Sequence, residues 1–422
     1  MIHKKIRAGM ALVLSLCMVI PNAYALSGDE SPNLEYDGYI VKLKDEIPQQ
    51  SLYALGGGDS SSESGLIVVD SLEEARDIPE ELVEYIEPNY LVELFAENEA
   101  EDEPADGDSL SDDSVVPNDP YYADYQWNLQ TINAYEAYRQ SLTGSGVKVG
   151  FVDSGINREH EDVKAANISG ANFNQDGLAY YQDTYGHGTF AAGIVAAQTN
   201  NKLGIAGIAP DVELHAYRIF SSKTTTTDAV VAAIEQAVQD GCQVINLSLG
   251  TSNSSTALRD AVAEAVASGA VVVAAVGNGG NAVTQYPAAY PGVIGVGSVD
   301  KDLTVSSFSQ RNTSVDFAAP GGGVASLSNT GKSGYKLDIT ASSNQGTSFA
   351  APVITGMAAL ALGYDKDIKA DGIFALLQAS AVDKGAEGYD TSYGYGVVDV
   401  ALFVWAGCLP NIMVFLFIPV RI

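Results

Sequence analysis

The chain has 422 residues, enough for two or three domains, and 46% of them are apolar, enough for a large core. Its 53 acidic and 22 basic residues leave a net charge of −31, which repels phosphate backbones and disfavours nucleic acid as a partner. Three cysteines are too few for a disulfide scaffold, and four histidines without a His-Glu-x-x-His motif argue against a zinc hydrolase.

Residues 1–25 are predicted to be a signal peptide. Three basic residues within 4–7 precede an apolar stretch at 8–20, and Ala23-Tyr24-Ala25 supplies a small-x-small cleavage site. The stretch is short for a bilayer span, although a membrane-anchored start remains an alternative. The protein is therefore expected to be secreted and extracellular, with attachment to the cell envelope left open.

Residues 26–95 are predicted to form a small α+β domain. The segment 39–43 alternates as a strand does, Ser71 and Glu74 match a helix capping box, and 90–95 predicts a second strand. A unit of this size buries little surface, so it is expected to need a partner to stay folded.

Residues 96–117 are predicted to be a disordered linker. They carry nine acids, no base and no aromatic residue, so self-repulsion and low hydrophobicity oppose a packed structure. A solvated helix is the alternative, and Pro104, Gly107 and Pro117 disfavour it. An exposed linker of this kind is a natural site for proteolytic maturation.

From residue 118 to 401, apolar strands alternate with helical segments. The predicted strands are 147–152, 212–219, 244–249, 270–276 and 293–299. The clearest helices between them are 228–238 and 257–267. This alternation implies an α/β domain with a parallel sheet covered by helices on both faces, and such sheets bind ligands at the carboxyl ends of their strands.

Four polar residues fall where such a sheet would collect them. Asp153 follows the strand 147–152, and His187 stands between two glycines at the start of a helix. Ser348 lies in the motif Gly346-Thr347-Ser348-Phe349-Ala350-Ala351-Pro352 at the first turn of another helix, and Asn278 follows a buried strand. Taken singly, each could be a helix cap or a turn residue.

In their motifs and their order, these residues resemble the subtilisin family of serine peptidases over residues 117 to about 401. The resemblance implies a triad of Asp153, His187 and Ser348, with Asn278 as the oxyanion donor. It implies a serine endopeptidase that hydrolyses protein or peptide substrates. One alternative is a catalytically silent domain of this fold used for binding. Another is a lipase-like hydrolase, but a Gly-x-Ser-x-Gly motif around Ser348 is missing.

The same resemblance implies substrate-binding residues. Ser248, Leu249 and Gly250 match the family's substrate segment, where an extended peptide could add as a strand. Gly277 lies in the turn 275–280 beside the expected side-chain pocket. Because this turn contains no acid, a broad or apolar preference is favoured.

A structural calcium ion is the cofactor that the resemblance implies. Its oxygen ligands would come from Gln126, Asp162, Asn201, Leu203 and Ile205. One extra residue near 198–199 departs from the family's loop, and a polar surface loop without metal is the alternative.

The segments 39–43 and 85–89 resemble the family's inhibitory propeptides. This implies a self-processed zymogen whose own propeptide is an intramolecular inhibitor, released by cleavage within 96–118. A permanent accessory domain is the alternative.

Residues 402–422 form an apolar tail of unknown role. Its first 19 positions are uncharged and Arg421 follows. A membrane anchor, a core-covering extension and a misread coding end are the alternatives, and membrane contact is not favoured.

Overall fold

A computed structural model describes residues 35–44, 65–95, 117–164, 167–174 and 176–408. The predicted signal peptide, residues 96–116 of the predicted linker and residues 409–422 of the tail lie outside the described residues. The described residues from Tyr36 onward belong to one compact unit.

The N-terminal part is a small antiparallel sheet with one short helix. Strands β1, β2 and β3 lie in the order β2-β1-β3, and helix α1 covers them. Their bounds are β1 Tyr36–Leu43, β2 Leu66–Val69, α1 Leu72–Asp77 and β3 Val83–Leu94. The predicted capping is confirmed, because Glu74 N donates to Ser71 Oγ over 3.2 Å at the start of α1.

A seven-stranded parallel sheet forms the centre of the larger part, in the order β12-β11-β10-β8-β4-β6-β5. The strands are β4 Lys148–Asp153, β5 Ile168–Asn172, β6 Glu213–Arg218, β8 Val244–Leu247, β10 Val271–Ala275, β11 Val293–Val299 and β12 Phe317–Pro320. The predicted parallel α/β architecture is confirmed, and each of the five predicted strands has its counterpart.

Helices cover both faces of this sheet. They are α2 Tyr122–Tyr125, α3 Trp127–Thr131, α4 Tyr135–Arg139, α5 His187–Ala196, α6 Thr227–Gln239, α7 Thr256–Ala267, α8 Thr347–Tyr364, α9 Ala370–Ser380 and α10 Val400–Cys408. Side chains of β10 alternate between the faces: Val271 and Val273 belong to the core that contains α5 and α8, and Val272 belongs to the core that contains α6 and α7.

Helix α8 is the central helix of the protein. The helical stretch Ser342–Tyr364 is long and apolar enough to cross a membrane by length and composition, but 94% of its apolar stretch is buried inside the protein. Its apolar character therefore belongs to a core helix, which carries the predicted Ser348 at its buried first turn.

Short strands join the two parts of the structure. Strand β3 pairs antiparallel with β7 Thr224–Thr226 on one edge and with β9 Leu249–Gly250 on the other. The N-terminal sheet is therefore continuous with strands of the larger part.

A separate two-stranded ribbon pairs β13 Ser326–Leu327 with β14 Tyr335–Lys336.

The predicted tail begins inside helix α10. Phe403 and Val404 are buried in the main core, whereas Leu402 and Trp405 are exposed. The described first turns of α10 thus cover the core, as the extension alternative predicts for this portion.

Candidate active site

The first predicted site residue, Asp153, closes strand β4 at the carboxyl edge of the sheet. It is fully buried, and its Oδ1 accepts a hydrogen bond from Ser154 N over 2.7 Å. Glycine at position 188 permits a close approach, because a Cβ there would lie 3.1 Å from Asp153 Oδ1. The start of helix α5 can therefore pack directly against the carboxylate.

His187 is the first residue of α5 and contacts Asp153. Its Nδ1 lies 2.8 and 2.9 Å from the two carboxylate oxygens, and its side chain is almost completely buried. Donation from Nδ1 leaves the lone pair on Nε2, which is buried and has no hydrogen-bond partner among the described residues. The pair is arranged as a base whose orientation the carboxylate fixes.

A second buried carboxylate, Asp183, holds the turn that carries His187. Its oxygens accept five hydrogen bonds of 2.6 to 3.1 Å, from Ser154 Oγ, Tyr185 N, Gly186 N, Thr189 N and Thr189 Oγ1. Asp183 thus ties the turn after Asp153 to the first turn of α5. Sequence reasoning missed this residue, since its only local signal is an acid four positions before the histidine.

Ser348 and Asn278 meet at one peptide oxygen. Ser348 Oγ donates to the carbonyl oxygen of Phe95 over 2.6 Å, and Asn278 Nδ2 donates to the same oxygen over 2.6 Å. Ser348 is fully buried beneath this contact, at the N-terminus of α8. Its hydrogen bond in this structure is to Phe95, and the base nitrogen of His187 stays unpartnered among the described residues.

The side-chain amide of Asn278 is held in one orientation by Thr347. Both the backbone N and the Oγ1 of Thr347 donate to Asn278 Oδ1 over 2.9 Å, so Nδ2 faces the Phe95 oxygen. Thr347 Oγ1 in turn accepts from Gly277 N over 3.1 Å. The sequence motif contained Thr347, but nothing local to it predicted this orienting role.

Three of the four predicted substrate residues, those at 248–250, lie along the end of strand β3. Leu94 is paired with Leu249 and Glu93 with Gly250, while Phe95 N donates to Ser248 O over 3.4 Å. The backbone of 248–250 therefore holds an extended chain as an added strand, as described for peptide recognition by sheet edges.

The ring of Phe95 lies against Gly250. A Cβ at Gly250 would come within 2.5 Å of the ring Cζ, so a side chain there would close the space that the ring fills. Gly277, the fourth predicted substrate residue, is required by the backbone of its turn. Its φ is +105°, and an added Cβ would lie 2.8 Å from Gln285 Cγ, so a side chain would not fit there.

Glu87 of the N-terminal unit caps helix α7. Its carboxylate accepts hydrogen bonds of 2.8 to 2.9 Å from Ser255 Oγ, Thr256 N and Ala257 N. A carboxylate at a helix N-terminus is favoured both by the unpaired N–H groups and by the helix dipole.

Asn89 makes the equivalent contact with helix α6. Its Nδ2 donates to Asp228 Oδ1 over 2.8 Å, and its Oδ1 accepts from Asp228 N over 3.1 Å. Glu87 and Asn89 belong to the predicted segment 85–89, so this segment fixes β3 on two neighbouring helices at once.

The predicted calcium ligands lie around a buried carboxylate. Asp162 is fully buried and accepts from Asn201 Nδ2 over 2.7 Å and from Ile205 N over 3.0 Å. Burial raises the pKa of Asp162 to about 7. Leu203 N donates to Asn201 Oδ1, and Gln126 exchanges two hydrogen bonds of 2.7 Å with the backbone of Ala206.

A second carboxylate, Asp119, lies beside this loop and was missed from the sequence. It accepts from Asn200 N and Asn201 N over 2.9 and 3.2 Å, and burial raises its pKa to about 6. Within the described ranges, no group of three or more His, Cys, Asp or Glu side chains is placed to hold a metal. A cation here would therefore depend on amide and backbone oxygens as well.

Comparison with known proteins gives the class to which this fold and site belong. Residues 144–396, more than half of the chain, match the subtilase family. The chain therefore belongs to the subtilase family, and it is a subtilisin-like serine peptidase.

Curated relatives agree with this assignment. The chain is 40% identical to subtilisin DY of Bacillus licheniformis over 279 residues, which are 65% of this chain and 96% of that protein. It is 41% identical to thermitase of Thermoactinomyces vulgaris over 246 residues, 58% of this chain and 85% of that protein. Subtilisin E of Bacillus subtilis is 35% identical over 285 residues, 66% of this chain and 71% of that protein.

Proposed function

We propose that the protein is a secreted serine endopeptidase, made as a self-processed zymogen, that uses Asp153, His187 and Ser348 as its triad. One observation carries this proposal: a serine hydroxyl and an amide N–H converge on a single peptide carbonyl oxygen, 2.6 Å from each. The Asp153–His187 pair on the neighbouring elements supplies the base.

The proposed roles of these groups in the hydrolysis follow from their positions. Ser348 turns its hydroxyl towards His187 Nε2, gives up its proton and attacks the carbonyl carbon. Asp153 keeps Nδ1–H in place and stabilises the imidazolium, and Asn278 Nδ2 donates to the oxygen as it becomes negative. His187 then protonates the departing amine, which leaves an ester on Ser348. Water, deprotonated by His187, hydrolyses this ester to a carboxylate and free Ser348.

Ser348→Ala tests this proposal. We expect peptide hydrolysis to fall to background and labelling by a fluorophosphonate to disappear, while the melting temperature stays near that of the wild type. Ser222→Ala, on an exposed loop, is the matched control and should keep both signals. A wild-type protein that never labels would support the silent binding domain instead.

The zymogen part of the proposal is supported by the occupied cleft. Strand β3 lies where a substrate would pair with Ser248, Leu249 and Gly250, so the N-terminal unit blocks access to Ser348. We expect wild-type protein to lose this unit and Ser348→Ala to keep it. Equal processing of the two proteins would show that another protease matures the chain.

We further propose a structural Ca²⁺ beside the loop 200–205. Two buried carboxylates support this proposal: Asp119 and Asp162 both accept from N–H groups of Asn201, and carboxylate oxygens are hard ligands of the kind that Ca²⁺ takes. Gln126 holds the adjacent residue Ala206. Bound there, the ion would neutralise the acids and stiffen the loop.

Chelation tests the calcium site. We expect EDTA to lower the melting temperature of Ser348→Ala protein, which cannot digest itself, and Ca²⁺ to restore it. Asp162→Asn should remove most of this response. Equal melting curves with and without EDTA would favour the metal-free surface loop.

A further inference from the structure

We infer that the first bond cut in maturation is Phe95–Ala96, so that the mature chain begins at Ala96 with the acidic segment attached. The inference rests on the proposed self-processing activity. It goes further by naming the bond, the residue that fills the pocket and the new N-terminus.

The carbonyl of Phe95 is the one placed for attack. Its oxygen is 2.6 Å from both Ser348 Oγ and Asn278 Nδ2, which is where an oxyanion would be stabilised. Phe95 is only 8% exposed, and its ring contacts Gly250. The bond that follows this carbonyl joins Phe95 to Ala96.

The strand that leads to Phe95 holds it there. Leu94 N donates to Lys223 O over 2.9 Å, and Phe95 N donates to Ser248 O. Val92 and Leu94 are also buried, with at most 1% of their surface exposed. The buried side chains of Val92, Leu94 and Phe95, together with pairing on both edges, therefore fix the register of this segment against its neighbouring strands. A shift by one residue would reverse which side chains are buried.

A cut near residue 117 would require this arrangement to be dismantled. The start of the peptidase part is already packed: Asn118 N donates to Asn200 Oδ1, and Lys202 N donates to Asn118 Oδ1. Asp119 accepts from the same loop. A cut at residue 116 would require its carbonyl to replace that of Phe95 between Ser348 Oγ and Asn278 Nδ2.

A cut after Phe95 needs no such movement. The 21 residues from 96 to 116 can span roughly 70 Å when extended, so the uncut chain reaches both packed positions at once. The acidic segment serves as a tether during the reaction and becomes an N-terminal extension after it.

The reaction balances with water as the second reactant. Ser348 Oγ bonds to the Phe95 carbonyl carbon, and its proton moves to His187. The bond to the Ala96 nitrogen then breaks, and that nitrogen takes the proton to become a free amine. Water, deprotonated by His187, hydrolyses the resulting ester, giving a Phe95 carboxylate and free Ser348.

Intact-mass spectrometry during refolding of the full chain tests the bond. The earliest products should be a fragment that ends at Phe95 and a partner that begins at Ala96. Ala96→Pro should slow their appearance at least about 100-fold, because it places a tertiary amide at the scissile position. Ala100→Pro, in the same acidic segment, is the matched control and should mature at the wild-type rate. Circular dichroism melting verifies that both variants fold.

The outcomes separate this inference from the proposed function. An active, fluorophosphonate-labelled protein whose first new N-terminus lies within 97–118 would overturn the Phe95–Ala96 assignment and leave the peptidase standing. Normal maturation of Ala96→Pro would overturn it too. A wild-type chain that neither matures nor labels would overturn both.

Discussion

At the scale of single residues, two side chains hold members of the proposed site in position by hydrogen bonds. Thr347 orients Asn278, and Asp183 gathers five donors around the turn that carries His187. Because such groups fix position rather than supply chemistry, their replacement should change the rate of hydrolysis more than the binding of substrate.

Thr347→Val removes the hydroxyl that both donates to Asn278 Oδ1 and accepts from Gly277 N. We expect kcat for a peptide substrate to fall about 10-fold with little change in KM, because Asn278 Oδ1 loses one of its two hydrogen bonds from Thr347 and keeps the one from the backbone N. Thr347→Ser keeps the hydroxyl and should stay close to the wild type. Steady-state kinetics decide, and an unchanged kcat for Thr347→Val would contradict the orienting role.

Gly250→Val places a branched side chain where the Phe95 ring lies. We expect kcat/KM to fall about 10- to 200-fold for peptides with Phe before the scissile bond, the range for small changes of pocket volume. The matched peptides with Ala at that position need less space and should lose less activity, although a Cβ at Gly250 also lies 2.9 Å from the backbone oxygen of Tyr286 and will lower both rates. Equal losses for the two peptides would mean that the valine disturbs the backbone rather than the pocket.

At the scale of elements, the N-terminal sheet is held by strand pairing and by two helix ends. Glu87 receives three hydrogen bonds at the start of α7, and Asn89 two at the start of α6. Hydrogen bonds to a charged group are stronger than neutral ones, so we expect Glu87 to contribute more than Asn89 to the binding of the N-terminal sheet.

Glu87→Gln therefore should speed the release of activity from the processed complex, by about 10-fold, because an amide retains one oxygen but no charge. Glu84→Gln is the control, since Glu84 is exposed on the same strand and loses the same charge. Activity is followed with a small peptide after dilution of the purified complex. Equal release rates for the two variants would show that the helix cap does not limit dissociation.

Much of the element order was predictable because strands buried on both faces must be continuously apolar. Strand β10 shows this pattern throughout, and β8 and β11 depart from it only at Asn246 and Ser298; all three were predicted. Strands β5, with the sequence ISGAN, and β7, with TTT, were missed because they are polar and gain their order from neighbours.

The residues of the candidate site likewise fall into those that local sequence patterns predict and those that they do not. The positions of Asp153, His187, Ser348 and Asn278 were predicted from local motifs. Asp183 and Asp119 were not, since their hydrogen-bond partners come from tertiary packing that no local pattern records. The placement of Phe95 depends likewise on the pairing of two segments more than 150 residues apart.

At the scale of the whole molecule, stability depends on pH through acids whose pKa values are raised by burial. Asp316 is one of them: its Oδ2 accepts from Gly295 N over 2.8 Å, and burial raises its pKa to about 6 from an ordinary 3.8. Between these two values the folded chain binds this proton more tightly than the unfolded chain. The stabilising contribution is therefore full below pH 3.8 and is lost as the pH rises through about 6.

Asp316→Asn should thus gain stability relative to its parent between pH 4 and pH 7, by about 1–3 kcal/mol in the free energy of unfolding. Urea unfolding in the Ser348→Ala background measures this without self-digestion. Glu264→Gln, on the exposed side of α7, controls for net charge. A difference between variant and parent that stays constant from pH 4 to pH 7 would contradict the buried-acid account.

Strand β3 lies between β7 and β9, with partners on both of its edges. Any protein that takes its place must offer a stretch of backbone free of other pairing on both edges, as residues 91–94 of β3 are paired here. Chains inside an intact sheet or helix do not meet this condition. The cleavage rate of a given sequence should therefore depend on how often the segment that contains it unfolds locally. We expect rigid folded proteins to resist the enzyme and denatured proteins of the same sequence to be cleaved rapidly.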